Sequence, residues 1–218
     1  MAEVKIGFVT FNPGSGDGDQ AVTVSSKKYE GRVQRTQQVE FGTESGGVKK
    51  SATINQSPLA EFVKIDSTAS VGKKGGTVTI NGTSNSNKLT FSLTPDETHP
   101  LTLKIPTSYQ AAGKTTNNGD VIAGDPGATG AFAFSIVFSD IAANTDVNNL
   151  VNTLKVTADG GPTANTVITQ TAGDPFLEID KKVINLDVNG TPQIINVKAN
   201  IRWTITQAVS KLVSKVMK

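Results

Sequence analysis

Two stretches of the sequence are versions of one another. Thr53-Ile54-Asn55-Gln56-Ser57 leads on to Phe62-Val63-Lys64-Ile65-Asp66, and Val167-Ile168-Thr169-Gln170-Thr171 leads on to Phe176-Leu177-Glu178-Ile179-Asp180. The step from Gln to Phe is six residues both times, and the copies stand 114 residues apart. A unit that closes one strand, crosses a short linker and opens the next strand marks a boundary between tandem modules. A chain punctuated in this way is expected to fold as a small array of β domains, and such arrays usually present surfaces rather than run reactions.

The boundaries divide the chain into 1–60, 61–175 and 176–218. In the first part, Val4–Val9 alternates as a strand, a Gly-rich turn follows at 14–19, and further strands read at Ala21–Val24, Val39–Phe41 and Lys50–Ile54. The stretch from Ser25 to Gln38 is too polar for a core strand and reads as an edge hairpin or an arm. The second part carries seven strand patterns, at Glu61–Asp66, Thr77–Asn81, Lys88–Thr94, Leu101–Ile105, Phe132–Ser139, Leu150–Ala158 and Thr166–Thr169. Seven is the strand count of an immunoglobulin-like sandwich. Between them, 106–130 is longer than an ordinary connection and reads as a functional loop or a partner-binding arm. The third part opens at Phe176 and shows strand patterns at Val183–Val188, Gln193–Lys198 and Arg202–Thr206, with Asn189-Gly190 as a hairpin turn.

From 206 to 218 the period changes. Val209, Leu212, Val213 and Val216 fall on one face, with Lys211, Lys215 and Lys218 on the other, which predicts a short amphipathic helix. Some forty residues cannot close a seven-strand sandwich, so the third part is expected to pack on the second or to be completed by another chain. The expected fold class is therefore all-β: tandem immunoglobulin-like β-sandwich modules with a C-terminal helix.

Composition narrows the chemistry. With no cysteine there is no disulfide, thiol nucleophile or thiolate metal site. A net charge of +2 on 218 residues does not point to nucleic acid, and no apolar run approaches a membrane span. Met1-Ala2-Glu3-Val4-Lys5 lacks the start of a signal peptide, so the chain is expected to stay in the compartment that made it. His99, the single histidine, stands in Glu97-Thr98-His99-Pro100, and no nucleophile elbow accompanies it. Asp17, Asp19, Asp120 and Asp125 lie in turns without the spacing of a calcium loop. No catalytic, cofactor or metal residue is expected.

The repeated Thr-Ile-x-Gln closing, the Phe-x-x-Ile-Asp opening and the later Asn200-Ile201-Arg202-Trp203-Thr204-Ile205 resemble BACON domains, immunoglobulin-like modules of Bacteroidetes proteins and of the crAss-like phages that infect them. Gly75-Gly76-Thr77-Val78-Thr79-Ile80 followed by Asn85–Phe91 has the same layout, with Leu89 in the place of Trp203. The resemblance implies a β-sandwich with a glycan-binding role and no catalytic residues. Without a secretion signal, it implies a virion protein made in the host cytoplasm: a capsid-decorating or head-fibre component. Its partners would be the major capsid protein or fibre subunits, in a homo- or hetero-oligomer held partly by the face of Val209, Leu212, Val213 and Val216.

The alternative is a carbohydrate-binding accessory module, for which Tyr109, inside the 106–130 excursion, is the candidate glycan contact. Trp203 alternates with Ile201 and Ile205 and reads as core. Four lysine doublets, at 27–28, 49–50, 73–74 and 181–182, read as solubilising edge charges or as docking points on an acidic capsid surface.

Overall fold

A computed structural model describes residues 2–206. The helical face expected on Val209, Leu212, Val213 and Val216 lies outside the described residues. The rest is all-β. In chain order the strands are β1 (Val4–Ile6), β2 (Val9–Asn12), β3 (Thr23–Ser26), β4 (Arg35–Gly42), β5 (Lys49–Gln56), β6 (Val63–Ile65), β7 (Thr68–Val71), β8 (Gly76–Ser84), β9 (Leu89–Pro95), β10 (Ser108–Ala111), β11 (Lys114–Asn117), β12 (Phe132–Ile141), β13 (Leu150–Ala158), β14 (Thr163–Gln170), β15 (Leu177–Ile179) and β16 (Val197–Ala199).

The main core lies between two sheets, ordered β11-β10-β12-β8-β6 and β7-β14-β13-β9. Strict alternation makes them a sandwich: Phe132, Phe134, Ile136 and Phe138 of β12 all point inward, as do Leu154 and Val156 of β13 from the other sheet. Each such side chain stabilises the fold by about 1.5–3 kcal/mol on full burial. The chain changes sheets within two residues. Val63–Ile65 runs antiparallel to β8, and Thr68–Val71 runs parallel to β14. The Thr166 hydroxyl donates to the Asp66 carbonyl at 2.5 Å and pins the crossing.

Residues 2–56 form a smaller unit, a β1-β2-β3 meander facing the β4–β5 hairpin. Its buried cluster is Val9, Phe11 and Val39, with Ile6, Phe8, Ala52 and Ile54 around it. The pattern at Val4–Val9 does not make one strand. Gly7, at φ 59°, and Phe8 form a two-residue turn between Ile6 and Val9, which face each other across a hairpin.

Several expected elements take another form. Leu101–Ile105 is not a strand, although Leu101 is buried. The edge of β13 beside it is already occupied by β9 as far as Asn152, so the segment around Pro100–Leu101 is bonded by the Val151 backbone and by the Asn152 side chain, which donates to the Leu101 carbonyl, and forms no ladder. The excursion 106–130 contains the β10–β11 hairpin, which extends the first sheet. In the third part only β15 and β16 pair, and 183–188 and 202–206 are not strands.

Candidate assembly surfaces

The duplicated junction is built twice in three dimensions. At the first seam, Gln56 Nε2 donates to the Lys27 carbonyl at 2.9 Å, and the Leu59 N–H donates to the Gly31 carbonyl at 2.8 Å. At the second, Gln170 Nε2 donates to the Ala142 carbonyl at 2.8 Å, and the Gly173 N–H donates to the Asp146 carbonyl at 2.7 Å. The strand openings match as well. Asn85 Oδ1 accepts the Phe62 N–H at 2.7 Å while its amide donates to the Ala60 carbonyl; Asn200 Oδ1 accepts the Phe176 N–H at 2.9 Å while its amide donates to the Asp174 carbonyl. Asp66 and Asn81 exchange bonds in the first copy, as Asp180 and Asn196 do in the second. Two asparagines in each copy, outside the repeated sequence, thus carry the same geometry as the motif itself.

Between the first unit and the sandwich stands a clamp. The Arg32 guanidinium holds Asp125 with two bonds, at 2.5 and 2.7 Å, and donates to the Asn85 carbonyl. Glu61 lies 3.6 Å away, and all three side chains are mostly buried. The guanidinium holds the Asp125 carboxyl below its ordinary value of 3.8, with the Gly127 N–H assisting. This paired, bidentate geometry is the kind that fixes orientation. It also gives two puzzling segments a role: the 25–38 stretch, read as an edge hairpin or an arm, holds the end of β3, the start of β4 and between them the connection that carries Arg32, and the 106–130 excursion carries Asp125.

Tyr109 does not reach solvent. It lies on the inner face of β10, 3% exposed, with its ring 4.8 Å from that of Phe91, and burial pushes its phenol up to about 12. The exposure assumed for a glycan contact there is corrected, because the segment is a sheet strand and not a loop. Trp203 departs from expectation the other way. It is 46% exposed, although its strand pattern reads as core, since nothing among the described residues covers it. His99 is part of a turn in which its N–H and that of Thr98 donate to Asp96 and hold that carboxyl low. Asp120 accepts from Asn117, and Asp125 is taken by Arg32. Among the described residues no cluster of three His, Asp or Glu is arranged for a metal. Of the lysine doublets, Lys49 pairs with Glu40, Lys73 with Asp174 and Lys28 with Glu30, all on the surface.

Two surfaces with exposed apolar side chains stand out among the described residues. One is a cleft of about 910 Å³ in the first unit, between the meander and the β4–β5 hairpin, lined by Val22, Phe41 and Val48 among others. The other is the third unit. Eleven of the twenty exposed large apolar side chains among the described residues belong to 176–206, Val188 and Ile205 among the barest. Concentrated exposure of this kind makes the third unit a candidate interaction surface.

No protein-family model matches the chain, and the search of curated proteins found no match either.

Proposed function

We propose that this chain is a non-enzymatic assembly protein of a phage virion, a capsid-decorating or head-fibre component built from immunoglobulin-like modules of the BACON kind. One observation carries the reading. Residues 176–206 reproduce the asparagine and aspartate hydrogen bonds that open the central sandwich, yet most of their large apolar side chains are uncovered among the described residues. A strand pair in that state is a binding surface waiting for a partner's strands.

The order of strands in the central unit supports the modular part of the proposal. β6-β8-β12-β10 and β9-β13-β14 have the adjacency of the two sheets of an immunoglobulin constant-type sandwich, with β7 added in parallel to the last strand. The carbohydrate reading draws no support from Tyr109, whose ring is inside.

Mass spectrometry of purified particles tests the virion assignment; the chain should be present at a fixed ratio to the major capsid protein. Truncation after Thr206 should abolish incorporation while the sandwich stays folded, if the stripe of Val209, Leu212, Val213 and Val216 contributes to docking. Particles lacking the chain altogether would sink the proposal.

A further inference from the structure

We infer that the two partial units complete one another between copies: residues 176–206 of one molecule supply the strands that residues 2–56 of the next molecule lack, joining the chain to itself head to tail. The inference deepens the assembly reading by naming the neighbour, and rests on that reading only for where the product is used.

The internal repeat identifies what each unit has. The β4–β5 hairpin matches β13–β14: Arg35 faces Gln56 at the start of eight pairs, as Leu150 faces Gln170. β3 matches the end of β12, because the glutamine amide bonds the carbonyl just past each of them, at Lys27 and at Ala142. In both copies the next strand begins nine residues after the earlier one ends, from Ser26 to Arg35 and from Ile141 to Leu150. In the sandwich, β12, β13 and β14 are flanked by β8, β9 and β7 respectively. Among the described residues the first unit has no strand in any of these three places.

The third unit has one strand and two apolar segments in the corresponding order. β16 matches the end of β8 through Asn196 and Asn200, which repeat Asn81 and Asn85. Residues 183–188 stand in the chain order of β7 and 201–206 in that of β9; the connection is one residue shorter, so that Trp203, three residues past Asn200, takes the place of the fully buried Leu89, four residues past Asn85, and Ile205 that of Phe91. What one unit lacks, the other exposes.

The same molecule cannot make this match. The first seam touches Asn85, just past the end of β8, and the second touches Lys73, just before its start. Nine residues of extended strand separate the two seams by about 30 Å, with the whole sandwich between them. A second copy has no such obstacle. Its contact area is adequate: large apolar side chains offer on the order of 100 Å² each, so the exposed ones on both units together approach about 1,000 Å² of apolar burial, the scale of a specific interface. Because the two surfaces differ, the contact is heterologous and produces a ring or an open filament.

The absence of cysteine allows a clean test. Thr90 faces Thr157 in the sandwich, and the same register sets residue 204 of one copy opposite residue 42 of the next. A Cβ at Gly42 meets nothing closer than 3.6 Å. Gly42→Cys and Thr204→Cys are made in separate full-length chains, mixed and mildly oxidised. A disulfide-linked heterodimer is expected, and a chain carrying both substitutions should give a ladder of multimers. Emission from the single Trp203 should shift to the blue as concentration rises, and Phe41→Asp should weaken association on the order of a hundredfold without moving the sandwich's unfolding transition.

A protein that stays monomeric by light scattering, with Trp203 emission unchanged and no mixed disulfide, overturns the inference. So does a double variant that closes on itself as a monomer. Virions that carry a chain monomeric in isolation would remove this inference and leave the virion reading standing. Polymers of a chain that no virion carries would do the reverse.

Discussion

The central sandwich and the third unit begin alike and end differently. Ile80 of β8 is fully buried, whereas Ile195, at the matching position just before β16, is 43% exposed. Asn85 is 5% exposed, while Asn200, with the same bonds, stands nearer to water. Side-chain hydrogen bonds across fifteen to twenty-four residues are enough to pair a first strand with a second. Covering that pair takes β9, the next strand in the chain, and β12–β14, which come from far along it. Local chemistry sets the opening, and distant strands decide whether it becomes a core.

The sharpest way to break this comparison is truncation at the paired isoleucines. Ile80→Ala should cost about 2–5 kcal/mol by leaving a cavity, and Ile195→Ala should stay within about 0.5 kcal/mol in dilute, unassembled protein. Denaturant melts of both variants measure it; equal losses would mean that the third unit has a core of its own. Next in size is Arg32→Ala, which strands Asp125 and Glu61 in partly buried sites. Loosening of the first unit by about 2–4 kcal/mol is expected, read as faster proteolysis of residues 2–56 with the sandwich intact.

The asparagines sharpen the comparison further. Asn85→Ala leaves the Phe62 N–H and the Ala128 carbonyl without their partner, at a cost of about 1–3 kcal/mol, while at Asn200 water can replace the bonds and the cost should stay below about 1 kcal/mol. Hydrogen exchange at the Phe62 and Phe176 amides separates the two.

The smallest effect is a pH dependence. Asp125 is held low by Arg32, so its contribution is complete above the ordinary carboxylate value of 3.8 and fades as acid takes the pH through its lowered folded value. The first unit should therefore release in acid ahead of the sandwich. Arg32→Ala should erase that step.

Much of the architecture was legible. Leu150–Ala158 was read with the bounds that the structure has, because nine alternating residues buried on one face leave little freedom of register. β7 was missed, since its four residues pair in parallel with a strand a hundred positions away and carry only Ala69 and Val71 as inward groups. β10 and β11 were hidden in a polar, turn-rich stretch whose strand character comes from pairing with β12. Arg32 had no sequence signal at all: a lone arginine in a polar run gains meaning only when Asp125, ninety-three residues on, is beside it.

By itself the sequence determined the β class and the repetition of one opening motif, because alternation and short-range hydrogen bonding are properties of neighbouring residues. Only the tertiary structure decided that Tyr109 is inside, that Trp203 is outside and that Arg32 joins the first unit to the sandwich. Burial depends on which strands arrive from elsewhere in the chain, and one strand's pattern does not say whether its partner comes.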